Sequence, residues 1–367
     1  MAKKKNSETL PPAAVLRDTL KKQFKDAALY LGSELPDISG YHQTGSLDLD
    51  IKLAGRGIPR GRITQVQGKD GSGKTSLLHH TCAKLQATQE DASILWVAAE
   101  PYEKEWAAQN GVEVDRITIL PPFEAEDSLD IAIYSIENNL VDLVVVDSVA
   151  ALCPKSIDDK DVGDKVIAGP AGVISRFCVK TGPAFNRAQF KYKEGRAAVV
   201  VINQVRDRFT SGPGGMAAEP EAKGGWALRH HKTIDLKFTR GEFIWKTVSG
   251  EKKVIGSNIK VRLVKVKMTG AEFWGSAGYD YYVKDWEPAG LDAGSIDTAK
   301  DVRELGSICG VLTYQRGGSF YIPSHDHTIK GEDVRDANNR MDMYLRYNPD
   351  ICSELEQLIR EAMTKDV

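Results

Sequence analysis

No two cysteines in this chain have C-x-x-C spacing. The five that exist, Cys82, Cys153, Cys178, Cys309 and Cys352, are odd in number and far apart. That argues against a disulfide framework and a structural zinc site, and it suits a reducing compartment. No run approaches the ~18 consecutive apolar residues of a membrane span. The basic start, Met1-Ala-Lys-Lys-Lys5, has no apolar stretch behind it and does not read as a signal peptide. A cytoplasmic protein is the expectation. Positive charge is not in excess either. Lysine and arginine number 49 against 51 acidic residues, a net charge of -2, so any contact with nucleic acid must be local. Internal repeats are absent.

The chain does have the size and composition of a folded protein. Its 367 residues suggest two or three domains, and with 41% hydrophobic residues it can build a large core. Residues 13–26 read as a short amphipathic helix with Leu16, Leu20 and Phe24 on one stripe. That stripe packs either on its own domain or on a neighbouring subunit. From about residue 44 strands and helices alternate. Strands are expected at 62–67, 94–100, 143–148, 198–204, 234–240 and 259–268, and helices at 75–88 and 171–190. Unbroken apolar runs such as Leu143-Val-Val-Val146 suit strands buried on both faces of a parallel sheet, hence an α/β domain. From about residue 291 a smaller α+β module follows, ending in a helix at 350–363. Segments 156–170 and 207–225 carry few large apolar residues and read as functional loops.

The most informative run is Gly68-Lys-Asp-Gly-Ser-Gly-Lys-Thr75, which fits G-x-x-x-x-G-K-[ST] between a strand and a helix. Gly68, Gly71 and Gly73 let the backbone N–H groups wrap a phosphate chain, with Asp70, Ser72 and Ser76 in the same cradle. A helix N-terminus adds partial positive charge. Lys74 neutralises the phosphates, and Thr75 offers a hydroxyl to Mg²⁺.

Hydrolysis of a triphosphate needs further groups. Asp147 ends the strand Leu143–Asp147, so it arrives at the sheet's carboxyl edge as a metal-side carboxylate. Glu100 ends another strand and is placed to polarise water, with Glu103 and Glu105 as rivals. Gln204 ends a third, ahead of the second loop, where an amide can report the terminal phosphate. Lys265 and Lys267 share a strand face after Ile259, Val261 and Leu263. They read either as a strand leaving the core or as cations aimed at a phosphate across an interface. Trp106 and Tyr102 compete as an aromatic that stacks on a purine, and either also reads simply as core. Lys165 and Arg176 lie in or near the first loop, and Arg206, Arg208 and Lys223 in or near the second; all suit phosphate-backbone contact. His325 and His327 form an H-x-H with no third ligand in evidence.

These pieces together resemble the bacterial RecA recombinase family. The likeness covers nearly the whole chain. It includes Thr44–Ile51, Gly57–Ile63, Gly68–Thr75, Val144–Leu152, Val201–Arg206, Gly224-Gly225, Val261–Lys267 and Tyr347-Asn-Pro349. It implies a P-loop ATPase core at 44–290, an N-terminal helix-strand polymerisation arm at 1–43, and a DNA-engaging C-terminal domain at 291–367. It implies ATP and Mg²⁺ as cofactors, single- and double-stranded DNA as partners, and a helical filament of identical subunits. The activity implied is DNA-dependent ATP hydrolysis coupled to pairing and exchange of homologous strands. A hexameric helicase on the same core and a non-catalytic mediator are the alternatives. By the resemblance Lys74, Thr75 and Asp147 hold the nucleotide and metal. Glu100 is the base, Gln204 the sensor, and Trp106 the base-stacking aromatic. Lys265 and Lys267 act on the neighbouring subunit's nucleotide, and the loops at about 158–170 and 205–225, with Gly224 and Gly225, bind DNA. The segment after Glu100 is shorter than the family pattern, the second loop is longer, and Gly172 stands where the family has an arginine. Such divergence suits a virus-encoded member.

Overall fold

The computed structural model describes residues 12–24, 29–34, 40–121, 124–158, 169–205, 225–248, 250–271, 275–330 and 334–364. The chain divides into two compact units, Met1–Ser39 and Gly40–Val367. In the first, helix α1 spans Pro12–Gln23. Proline suits the first helical turn, where its missing N–H costs nothing, and Lys21 and Lys22 complement the dipole in the last. Val15, Leu16 and Phe24 are exposed. The strand expected in the arm at 1–43 lies past this unit: Tyr41–His42 form a short strand that belongs to the second.

The second unit opens with β1 (Tyr41–His42), α2 (Leu47–Lys52), β2 (Ile58–Pro59), β3 (Ile63–Gly68) and α3 (Lys74–Thr88). Then come β4 (Ile94–Ala98), α4 (Lys104–Gln109), β5 (Thr118–Leu120), α5 (Ala125–Glu137) and β6 (Leu143–Asp147). They are followed by α6 (Lys155–Asp158), α7 (Pro170–Tyr192), β7 (Ala198–Gln204), α8 (Gly225–His231), β8 (Lys232–Val248), β9 (Glu251–Val266) and β10 (Gly275–Tyr282). The C-terminal part carries α9 (Thr298–Cys309), β11 (Thr313–Gln315), β12 (Ser319–Ile322), β13 (His327–Lys330), α10 (Val334–Tyr347) and α11 (Pro349–Thr364).

Eight strands form the main sheet in the order β10-β9-β8-β3-β7-β6-β4-β5. From β8 through β5 the neighbours run parallel, while β9 and β10 add an antiparallel edge. Leu143–Val146 and Val199–Val201 have no exposed surface, as expected for central strands covered on both faces. Each such side chain contributes roughly 1.5–3 kcal/mol of burial. A separate three-stranded sheet, β11-β12-β13, packs with α9, α10 and α11 around Val302, Phe320, Met341, Leu345 and Leu355. The α+β character expected beyond residue 291 is present.

Parallel register sets the level of every strand end. Gly68 pairs with Gln204 and with Phe238, and Ala98 pairs with Asp147. The carboxyl ends of β3, β4, β6 and β7 therefore meet along one edge. The expected strands at 94–100 and 143–148 end slightly sooner, at Ala98 and Asp147. That leaves Glu100 and Ser148 just past the ladder, free to turn toward the edge.

The antiparallel edge departs further from the sequence pattern. Strands β8 and β9 form one long hairpin turned at Gly250, whose φ of 83° favours glycine. β10, whose glycines and tyrosines hide any alternation, is a full strand on β9. Register slips near the end of β9: Asp235 pairs with Lys265 but Leu236 with Leu263, so Val264 is an extra, exposed residue. The bulge reverses alternation. Ile259, Val261 and Leu263 are buried, and beyond the bulge the buried pair is Val266 and Met268. Lys265 and Lys267 share a face, as expected, but it is not the continuation of the Ile259–Leu263 face.

His42 is buried, with Nε2 3.0 Å from the Asp142 carbonyl, and burial lowers its pKa to about 4. Between pH 6.5 and 4 the unfolded chain binds a proton here that the folded chain refuses, so acid destabilises the fold. A His42→Gln variant retains a donor for that carbonyl but cannot titrate. From pH 7 to pH 5, urea unfolding should show the wild type losing about 2 kcal/mol more stability than the variant. Parallel pH profiles would contradict the assignment.

Candidate nucleotide site

The loop after β3 turns through glycines that nothing larger could replace. A Cβ on Gly68 would sit 2.6 Å from the Phe238 carbonyl oxygen, and Gly73 has φ 89° with Ile259 Cδ1 3.1 Å from its Cβ position. Lys74 opens α3 with its side chain buried, and Nζ donates to the carbonyls of Gly68 (3.1 Å) and Lys69 (2.8 Å). Desolvation lowers its pKa, against the raising effect of Asp70, Asp147 and Glu100. An arriving anion would restore what burial removes. Ser72 Oγ is buried with no hydrogen-bond partner, and Ser76 is buried one residue beyond Thr75.

Carboxylates gather beside the loop. Thr75 Oγ1 donates to Asp147 Oδ2 at 3.4 Å. Asp147 is buried, and desolvation, then repulsion by Glu100, pushes its pKa up to about 7 despite Thr75 and Lys74. The site is short of positive charge. A hydroxyl and a carboxylate, both hard oxygen donors, together with that deficit fit Mg²⁺. The Asp147–Ser148 peptide is cis. Glu100 Oε1 accepts from Gln204 Nε2 at 2.9 Å and from Ser148 Oγ. Glu100, Asp147 and Gln204, read from separate strands, are thus in one cluster; Ser148 is a member the sequence reading missed. Glu103 and Glu105, the rivals to Glu100, lie exposed at the start of α4.

Between Trp106 and the loop lies a cavity of about 280 Å³, walled by Gly71–Ser76, Trp106, Arg240, Ser257, Ile259, Tyr281 and Val283. Tyr102 is not in that wall. Its ring turns inward against Trp96 and His79. Trp106 is held by a closed circuit. Its indole Nε1–H donates to Tyr281 Oη (3.2 Å), Tyr281 O–H donates to Asn110 Oδ1 (3.1 Å), and Asn110 Nδ2 donates to the Trp106 carbonyl (2.7 Å). His79, from the phosphate-loop helix, meets the Trp106 ring edge-on at 5.1 Å. Sequence spacing gave no sign of this circuit, because β10 was not legible as a strand.

Lys265 and Lys267 are elsewhere. Lys265 sits at the level of Asp235 and Gln65, three residues back from Gly68, or about 10 Å along the strand. Lys267 N donates to the Thr233 carbonyl, near the start of β3. Lys265 Nζ donates to the Arg229 carbonyl at 2.7 Å, and desolvation, then Lys267, lowers its pKa. Neither lysine reaches its own phosphate loop.

Of the DNA-contact residues, Lys165, Arg206, Arg208, Lys223 and Gly224 lie outside the described residues. Arg176 is on α7, paired with Glu126 at 3.4 Å, and Gly225 begins α8. His325 and His327 do not converge: the first lies 3.5 Å from Glu354, the second stacks on Tyr344. No metal-holding cluster of three His, Cys, Asp or Glu occurs among the described residues, and no helix among them is long and apolar enough to cross a membrane.

A family model described as the RecA N-terminal domain matches residues 13–275. The chain is similar to Protein RecA of Rhodopirellula baltica, 31% identical over 94% of this chain and 83% of the relative. It is also similar to Protein RecA of Bacteroides thetaiotaomicron, 29% identical over 98% and 99%. A third relative, Protein RecA of Thermotoga neapolitana, is 32% identical over 87% and 82%.

The circuit around Trp106 is testable without any ligand. Tyr281→Phe should cost about 1–3 kcal/mol in urea unfolding, because it strands the Asn110 and Trp106 partners. In a double-mutant cycle with Trp106→Phe the two substitutions should couple by roughly 0.5 kcal/mol or more. Strict additivity would show that the side chains act independently.

Proposed function

Because this chain belongs to the RecA family of ATP-dependent recombinases, we propose that it assembles on single-stranded DNA as a helical filament, hydrolyses ATP between subunits, and exchanges strands with homologous duplex. The observation that carries this reading is the convergence of the phosphate loop, Asp147, Glu100 and Gln204 on one sheet edge. In this reading residues 1–43 are the polymerisation arm, 44–290 the ATPase core and 291–367 the C-terminal domain.

The phosphate chain lies on the backbone N–H groups of Gly68–Thr75, with Lys74 as its buried cation. Thr75 and Asp147 would hold Mg²⁺, which supplies charge neutralisation at the phosphates. Trp106 offers the base a flat face. Glu100 takes the proton of the attacking water. In the free protein its carboxylate is engaged by Gln204, whose amide N–H is the group a terminal phosphate would attract. Moving that amide to the phosphate leaves Ser148 as the one donor on that Glu100 oxygen among the described residues, and it pulls on the end of β7 just before the second loop. This links triphosphate to the second loop, where Arg206, Arg208, Lys223, Gly224 and Gly225 would meet DNA; Lys165 and Arg176 would serve the first.

Lys265 and Lys267 complete a neighbour's pocket. Their placement supports that role by exclusion, since the register sets them away from their own loop. A ring-shaped helicase and a non-catalytic mediator are not favoured: the residues read as hydrolytic are all present, and the relatives all carry the name Protein RecA.

ATP turnover should rise on adding single-stranded DNA, with filaments visible by electron microscopy, and Lys74→Ala should abolish turnover. Lys265→Ala should lower it about a hundredfold or more, as for loss of a transition-state cation. Mixing the two inactive variants should restore part of the activity, because an intact pocket then meets intact lysines. Absence of complementation would argue against completion in trans, and no filaments with no DNA stimulation would defeat the reading as a whole.

A further inference from the structure

The nucleotide cavity has a charged wall that the roles above leave unused. Leu236, Phe238 and Arg240 share one face of β8 by strand alternation. The first two are buried, and the third emerges exposed where β8 passes the phosphate loop. Across the ladder Arg240 pairs with Ile259, so both side chains stand on the same face. Ile259 packs against Gly73. Arg240 does the equivalent at the crest of the loop: a Cβ on Gly71 would lie 3.5 Å from Nη1 and 3.6 Å from Nη2. Phe243 supports the guanidinium, with Cζ 5.5 Å from the ring centroid. Among the described residues no carboxylate pairs with Arg240. A cation is therefore held, without a counter-charge, against the one glycine of the loop's crest. No part of the G-x-x-x-x-G-K-[ST] pattern predicts it.

We propose that Arg240 is a second phosphate-binding cation of the nucleotide site, acting within the same subunit as Lys74. This rests on reading the loop as a nucleoside triphosphate site. The two cations are unlike. Lys74 is a buried point charge already bonded to loop carbonyls, whereas Arg240 is a planar fork whose donors take two phosphate oxygens at once. The gap at Gly71 is what admits the fork. With no side chain there, guanidinium and loop N–H groups can face the same phosphate from two directions.

The test is equilibrium binding of fluorescent ATP and ADP analogues, with Mg²⁺, to the dilute full-length chain. Arg240→Ala and Arg240→Gln should both weaken ATP binding about ten- to a hundredfold, the range for loss of a charge-assisted hydrogen-bonded pair, and flatten its salt dependence. Thermal midpoints should stay at the wild-type value, because the residue is exposed. Arg240→Lys should recover only part of the affinity, since it returns charge without the fork. ATP affinity within twofold of wild type in both neutral variants would overturn the proposal. So would a loss confined to filament assembly, which would give Arg240 to a neighbouring copy's carboxylate. Lys74→Ala separates the two readings. If it abolishes binding while Arg240→Ala does not, only the proposal for Arg240 falls. If the wild-type chain binds neither nucleotide, the reading of the loop falls and Arg240 with it.

Discussion

Everything at the site depends on the register of the parallel ladder. The pairing of Gly68 with Gln204, and of Ala98 with Asp147, is set by apolar runs that are buried on both faces and cannot slip without exposing valines. A slip of one residue would reverse each side chain and move each strand end by about 3.3 Å. Gln204 would then no longer meet Glu100, nor Asp147 meet Thr75, because these contacts are hydrogen bonds of 2.9 and 3.4 Å. The hydrophobic core holds the chemistry in place through this constraint.

The parallel half of the sheet was legible in the sequence for the same reason. Runs such as Leu143–Val146 admit one environment, and a polar residue that ends such a run must arrive at the carboxyl edge. Asp147, Gln204 and the phosphate loop were readable on that basis, and Glu100 lay two residues past its ladder rather than within it. The antiparallel half was not legible. β10 mixes glycine with tyrosine, so its period is masked. The bulge at Val264 is a local event that no alternation rule foresees, and it moved Lys265 and Lys267 off the face to which the pattern assigned them. Arg240 and Tyr281 were missed because each acts across strands whose pairing the sequence does not announce.

The two halves also differ in what they contribute. Helix α3 and the central strands supply the phosphate cradle and the carboxylates. The β8–β9–β10 edge supplies the cavity's opposite wall, through Arg240, Ser257, Ile259, Tyr281 and Val283. That same edge carries Lys265, whose amine is bonded to the Arg229 carbonyl on α8, directly after the second loop. One run of antiparallel strands thus borders the cavity beside the phosphate loop at one end and bears the lysine pair at the other.

The circuit around Trp106 has a chemical corollary. Its only polar hydrogen is spent on Tyr281, so the indole has nothing left with which to interrogate the rim of a heterocycle. A flat π-surface responds to breadth and planarity, not to which substituent is an amine and which an oxo group. Guanine and adenine look nearly alike to such a plate. If Trp106 is the plate on which a base lies, as proposed, any preference between the two is written by other groups of the cavity wall.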